Sequence, residues 1–181
     1  MNCEDTIEYI IKCSLEDLYF GKHIKFKINR KIIVNKNFIN QSEILEIKIP
    51  PGCIDGTKIF FEKKDDLQKN IVFKIKQVEH KIFKRNKDNL IATCIIGLDE
   101  VFKGFTRTIK LLNNKTEIIN IQKLNNSNDT INIKNGGMPI QNNDTVTSYG
   151  DLIIEFKINF ENIPNKINKF IIDEFNKIDE I

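Results

Sequence analysis

Tryptophan is missing from these 181 residues, histidine occurs only twice, and no two of the four cysteines are spaced as Cys-x-x-Cys. Each absence removes a class of function. Cys3, Cys13, Cys53 and Cys94 are scattered, so neither a zinc site nor a dithiol redox centre has local support. Met1 leads into Asn-Cys-Glu-Asp and not into a basic and then apolar run, so no secretory leader is expected. The cysteines then read as free thiols in a reducing cytoplasm. No apolar stretch approaches the roughly 20 residues of a membrane span. A net charge of +3 is too small to signal nucleic acid by itself. Neither a membrane nor a nucleic acid is an expected partner. Gly136-Gly137 lacks a following Lys and Ser or Thr, so no phosphate-cradling loop is present and no cofactor is implied.

What the sequence does contain is isoleucine and asparagine, 35 and 23 residues, a bias toward β-branched strands and polar loops. It also contains an internal repeat. Ser14-Leu15-Glu16-Asp17-Leu18-Tyr19-Phe20-Gly21 returns as Gly97-Leu98-Asp99-Glu100-Val101-Phe102-Lys103-Gly104, in one register throughout. Ser14 and Asp17 form a capping-box pattern, and Leu15, Leu18 and Tyr19 share one helical face. Gly21 sits where a helix stops. The second copy keeps the apolar spacing and the final glycine but has Gly97 at the cap.

Each short helix feeds a strand. Ile24, Phe26 and Ile28 alternate with Lys25, Lys27 and Asn29, and Ile109 and Leu111 follow the second helix. Further strands are expected around Leu45 to Ile49, Ile59 to Phe61, Ile71 to Ile75, Leu90 to Ile96, Ile119 to Ile121, Ile131 to Ile133 and Ile154 to Phe160. Glu8 to Lys12 is expected to pair beside the Lys25–Lys27 strand, and the Asn-rich stretches Asn35 to Ser42 and Asn125 to Asp129 read as loops. Many short strands separated by turn residues predict an all-β chain of two tandem β-sandwich domains with short helices. After Pro164 the period changes: Ile167, Phe170, Ile171, Phe175 and Ile178 fall at helical spacing. The expected organisation is residues 1–79 and 80–163 as the two sandwiches and 164–181 as a C-terminal α-helix.

Chemistry-bearing residues are few. The acidic pairs Glu16-Asp17 and Asp99-Glu100 sit in first helical turns, where the backbone dipole favours carboxylates. His23 and His80 have no evident metal partners, and Cys53 and Cys94 have no base nearby in sequence. No catalytic residue is nominated, and an enzyme is not expected.

Four segments in order resemble one family. SLEDLYFGKHIKFKINR (14–30), ILEIKIPPGCIDGTKIFF (44–61), NIVFKIKQVEHKIFKRNKDNL (70–90) and LDEVFKG (98–104), with Gly137-Met138-Pro139 and Gly150-Asp151-Leu152, are similar to the paired C-terminal domains of class B DnaJ-type (heat-shock-40) co-chaperones. The resemblance implies two sandwiches that bind non-native polypeptides, and a terminal helix that dimerises. It also implies a DnaK-type (heat-shock-70 class) partner whose acidic C-terminal tail docks on the first domain. No His-Pro-Asp triplet occurs, so the ATPase-stimulating J-domain is absent from this sequence, which is either a piece of a longer protein or a form without that part.

The resemblance further implies a peptide site at Tyr9, Ile11, Phe26, Ile28 and Phe83, with Lys25 and Lys27 meeting tail carboxylates. Where relatives often carry another basic residue, this chain has Ile24. The helical stripe Ile167, Phe170, Ile171, Phe175 and Ile178 is the expected homodimer seam. Two other readings compete: a carbohydrate-binding or hydrolytic β-sandwich, and a nucleic-acid binder using the Lys-rich segment 22–36. The first would need convergent polar residues that the sequence does not display.

Overall fold

The computed structural model describes residues 6–34, 37–61, 70–122, 124, 129–160, 167 and 169; within this range the side chains of 30–38, 40 and 41 are left aside. Among the described residues the chain is all-β apart from two short helices and the helical Ile167 and Lys169. In order it forms β1 (Thr6–Cys13), α1 (Leu15–Phe20), β2 (Lys22–Val34), β3 (Asn37–Ile49), β4 (Lys58–Phe61), β5 (Asn70–Gln77), β6 (Phe83–Asn86) and β7 (Asn89–Gly97). Then follow α2 (Leu98–Lys103), β8 (Phe105–Lys110), β9 (Thr116–Ile121), β10 (Thr130–Ile133), β11 (Pro139–Asn142), β12 (Thr145–Tyr149) and β13 (Leu152–Asn159).

The repeated helices form for the reasons their sequences suggest. Ser14 Oγ accepts from the Asp17 N–H at 3.1 Å and the Asp17 carboxylate accepts from the Ser14 N–H at 3.2 Å, a reciprocal cap on two donors the helix cannot satisfy itself. In α2 only half of this survives: Gly97 has no side chain to accept, but its N–H donates to Glu100 at 2.9 Å. Gly21 and Gly104 end the two helices with φ near +79° and +78°, a region that costs residues with a Cβ. Leu15, Leu18 and Tyr19 are buried beneath α1, whereas α2 buries none of its residues fully.

Two expectations are corrected. β1 does not pair beside β2; it runs parallel to β5, with Tyr9 opposite Phe73 and Ile11 opposite Ile75. The partner lies some sixty residues downstream, a long-range choice that the local pattern around Tyr9 does not encode. Residues 37–42 are not a loop but the first half of β3, paired with β2 in unbroken antiparallel register from Lys22↔Ile49 to Val34↔Asn37. The asparagines, Gln41 and Ser42 there hide the strand, because such residues favour turns when read locally. Of the stretch 125–129, only Asp129 lies within the described residues.

Packing divides the chain into two units, residues 1–90 with 134–152 and residues 91–133 with 153–181. The contiguous spans expected from the repeat therefore differ from the packing, which returns 134–152 to the first unit. The reason is a set of backbone bonds: Met138 N–H to Asp88 O at 2.7 Å, Leu90 N–H to Asp151 O at 2.9 Å and Gly137 N–H to Gly150 O at 2.8 Å. Gly150 is placed so that a Cβ would overlap the Asp88 carbonyl. In the first unit, β1-β5-β4 form one sheet and β2-β3 a second, with Phe73, Ile75, Ile47 and Ile49 fully buried. β11 and β12 make a hairpin turned by Asn143 and Asp144, both at positive φ. In the second unit Ile96, Phe105 and Leu124 form the core, and Phe105 meets Phe156 edge-on at 5.7 Å. The four-stranded sheet of the chain has the order β10-β13-β7-β6, and β8-β9 stand as a pair.

Arg85 fastens the turn between the two sheets of the first unit. Its guanidinium donates to the carbonyls of Cys53 at 2.7 Å, Gly52 at 2.8 Å and Lys87 at 2.7 Å. Burial lowers its pKa from the usual range, with the nearby Asp88 opposing that shift. The same turn is held from the other side by Gly52 N–H to Leu18 O at 2.7 Å, and a Cβ on Gly52 would strike the Pro139 carbonyl. Three charge-assisted bonds from one fork are lost together in Arg85→Met, which is expected to lower unfolding free energy by about 2–4 kcal/mol. Arg85→Lys should recover only part of this, because a single ammonium cannot reproduce the fork. Denaturant midpoints of the three proteins measure it, and a Lys variant as stable as wild type would refute the clamp.

Candidate functional site

The sequence-nominated residues of the first unit lie on three elements. Tyr9 and Ile11 belong to β1, Phe26 and Ile28 to β2, and Phe83 to β6. Strand alternation sends Tyr9, Ile11 and Cys13 to one face of β1, and Phe26 and Ile28 to one face of β2. The two sheets meet on these faces. Tyr9 and Phe26 approach with ring centroids 5.0 Å apart, although they sit on strands that share no ladder.

Their common support is Phe73, a residue the sequence reading placed in a strand but not in a site. Phe73 is fully buried on the central strand β5. It stacks on Tyr9 at 5.6 Å and meets Phe26 at 5.0 Å and Phe61 at 5.5 Å edge-on. Tyr9, Phe26 and Phe61 are each half-buried. A buried ring thus holds three others with faces partly open to solvent, each pair contributing about 0.5–1.5 kcal/mol beyond area burial. Ile11 and Ile28 are buried and make the floor, not the rim.

Phe83 is buried on β6 and stacks on His80 at 5.3 Å. His80 Nδ1 accepts from the N–H groups of Ile82 at 3.2 Å and Phe83 at 2.9 Å, which assigns the ring proton to Nε2. Nε2 lies 3.2 Å from the Glu16 carboxylate. Backbone hydrogen bonding, the Ser14 hydroxyl and His80 together hold the Glu16 carboxyl below its ordinary pKa, against some opposing burial. His80 is therefore a turn-fixing residue that seats Phe83.

The charged candidates differ from one another. Lys25 faces Glu46 directly across the ribbon, with an ion pair at 3.2 Å. Lys27 lies opposite Ile44, which supplies no counter-charge at that rung. Ile24, opposite Ile47, is half-buried. Among the described residues, β2 has a strand neighbour on one side only, β3. Of the proposed dimer seam, Ile167 is helical and 47% exposed, while Phe170, Ile171, Phe175 and Ile178 lie outside the described residues.

Reactive chemistry finds little footing. Burial raises the Cys13 and Cys94 thiols above their ordinary pKa, with the Asp17 and Glu100 carboxylates adding to it, which disfavours thiolate. Among the described residues no three His, Cys, Asp or Glu side chains gather as a metal site, and no helix is long and apolar enough to cross a membrane.

The sequence is similar to those of known proteins. The family described as the DnaJ C terminal domain matches residues 7–161. Protein SIS1 of Saccharomyces cerevisiae is 30% identical over 94% of this chain and 49% of its own length. Protein psi1 of Schizosaccharomyces pombe is 33% identical over 86% of the chain and 42% of its own length. The human DnaJ homolog subfamily B member 13 is 32% identical over 87% and 51%. The chain thus spans about half the length of the curated relatives it matches. An all-β pair of sandwiches with two repeated capped helices, matched along nearly its whole length by class B relatives, belongs to the DnaJ C-terminal domain family.

Proposed function

We propose that this chain is the client-binding part of a cytoplasmic co-chaperone and captures extended, non-native polypeptide along the outer edge of β2. The observation that carries the reading is the half-buried Phe26–Tyr9 pair beside a strand that has one ladder neighbour among the described residues. An extended peptide added to that edge gains main-chain hydrogen bonds, and its alternate side chains settle against the partly open rings. Ile11 and Ile28 are buried on the strand faces that carry Tyr9 and Phe26, and the resemblance alone assigns Phe83 to the site. The likeness to Protein SIS1 and the subfamily B relatives supports the co-chaperone role. The partner would be a DnaK-type ATPase chaperone, whose acidic tail competes with clients for the same edge.

The electrostatics rank the two lysines. Lys25 is already neutralised by Glu46 across the ribbon, so Lys27 is the better receptor for a tail carboxylate. Exposed pairs of this kind contribute about 0.2–1 kcal/mol. Apolar burial holds the peptide; charge tunes the choice. The C-terminal stripe from Ile167 to Ile178 would join two copies, and two weak sites on one scaffold raise avidity for a client that spans both.

Three measurements check this reading. Phe26→Ala should weaken retention of an unfolded reporter in solution, without ATP, by roughly an order of magnitude, the loss expected from truncating a central aromatic anchor. Phe26→Leu should keep the core and lose less, and reporter protection unchanged in both variants would remove Phe26 from the site. Titration with a short acidic tail peptide should show Lys27→Ala binding roughly two- to fivefold more weakly. The charge-neutral pair Lys25→Ala with Glu46→Ala should bind as wild type does, and the reverse ranking would exclude Lys27. A chain ending at Phe160 should sediment as a monomer; a persistent dimer would place the seam elsewhere.

A further inference from the structure

The three-stranded sheet of the first unit has a second face, turned away from Phe73, that neither the core nor the peptide site uses. Strand alternation places Glu8, Ile10 and Lys12 of β1, Val72, Lys74 and Lys76 of β5, and Lys58 and Phe60 of β4 on it. The register sets them in rows: Phe60, Val72 and Glu8; Lys58, Lys74 and Ile10; Lys76 and Lys12. Val72 is buried, but Phe60 is 67% and Ile10 63% exposed. Four ammonium groups thus share a patch about 10 Å wide across three strands, with an open aromatic ring beside them. Glu8 meets Lys58 at 3.4 Å and Lys74 at 3.8 Å, and Asp55 meets Lys76 at 3.2 Å. Lys12 is exposed and has no ion-pair partner among the described residues. Four lysines against Glu8 and Asp55 leave the patch at net +2, and ion pairs this exposed exchange readily for another anion.

The internal repeat shows that the fold does not require this chemistry. Phe73-Lys74-Ile75-Lys76 returns as Phe156-Lys157-Ile158-Asn159, and β13 lies between β7 and β10 as β5 lies between β1 and β4. In the second copy Ile95 stands for Lys12 and Asn159 for Lys76, and the exposed residues of β10 are Thr130 and Asn132. Of the four lysines only the counterpart of Lys74 remains, and the open ring is gone.

We infer that this outer face binds single-stranded nucleic acid, with the lysines on phosphates and Phe60 stacked on a base. β5 is paired on both sides, so the middle of the face offers side chains and no free main-chain groups. An extended polypeptide, which adds at sheet edges, gains little there. Point cations and an open ring suit phosphates and unstacked bases instead. Sheets that display aromatics are a recurrent platform for single strands. A duplex keeps its bases stacked and cannot use the ring. The whole-chain charge of +3, on which the expectation of no nucleic acid rested, does not report on one face.

The test is fluorescence anisotropy of a short labelled oligouridylate titrated with the whole chain. Binding should weaken with salt, with a log–log slope of about −2 to −3 for three or four neutralised phosphates. Phe60→Ala should weaken it at least about fivefold, the loss of one stacked base. Lys12→Gln with Lys74→Gln should flatten the slope by about 1.4. Unchanged thermal melting of both variants controls for folding. Peptide capture should persist in them, since Tyr9 lies on the opposite face of the sheet, so this inference and the peptide reading can each fail alone. Oligodeoxythymidylate in parallel identifies the preferred sugar, and binding of either strand supports the site. Binding of neither, tighter binding of a duplex, Phe60→Ala equal to wild type, or an oligoglutamate held as tightly as the oligonucleotide would each overturn it. So would a loss in Lys25→Gln with Lys27→Gln that Lys12→Gln with Lys74→Gln does not share, which would move the contact to the ribbon.

Discussion

The first unit depends on the packing around Phe73. That one ring, on the central strand of the three-stranded sheet, touches Tyr9 of the neighbouring strand, Phe61 near the other edge and Phe26 of the facing ribbon. Phe73 is fully enclosed, and the three rings around it are not. A well-packed centre with a partly wet perimeter is a compromise between stability and availability. Closing the perimeter would add burial at about 25 cal/mol per Å². It would also remove the apolar surface that a foreign chain can meet.

That compromise is tolerable because the rest of the unit is held by polar bonds of definite geometry. The Ser14–Asp17 box fixes α1, Lys22 reaches Asp17 at 2.8 Å, and Arg85 ties the turn at Gly52 and Cys53 to β6. Asp55 accepts from the Gln77 N–H at 2.6 Å, which holds its carboxyl below the ordinary range and pins the end of β5. These bonds fix the frame around the half-buried rings without covering them.

Local features were legible in the sequence wherever a short-range rule decides them. The capped helices follow from Ser14, Asp17 and the repeated glycines, and most strands follow from the alternation of isoleucine with polar residues. What stayed hidden depends on distant partners. Nothing near Tyr9 specifies β5 as its neighbour, and nothing in the thirteen phenylalanines marks Phe73 as the hub. The stretch from Asn37 to Ser42 reads as a loop because its asparagines, glutamine and serine are turn-favouring residues, and its pairing with β2 is set by register and not by a local pattern. Arg85 gave no warning either, since its three acceptors are backbone carbonyls. Among the nominated residues, Tyr9 and Phe26 meet across the two sheets, while Ile11 and Ile28 are buried.

The return of residues 134–152 to the first unit has a consequence for synthesis on the ribosome. When Leu90 has just emerged, Asp88 lacks the Met138 amide, the Leu90 amide lacks Asp151, and Tyr19 lacks the Tyr149 ring that stacks on it at 5.9 Å. Vectorial folding of the leading half must therefore pause in an incomplete form while some sixty further residues are translated.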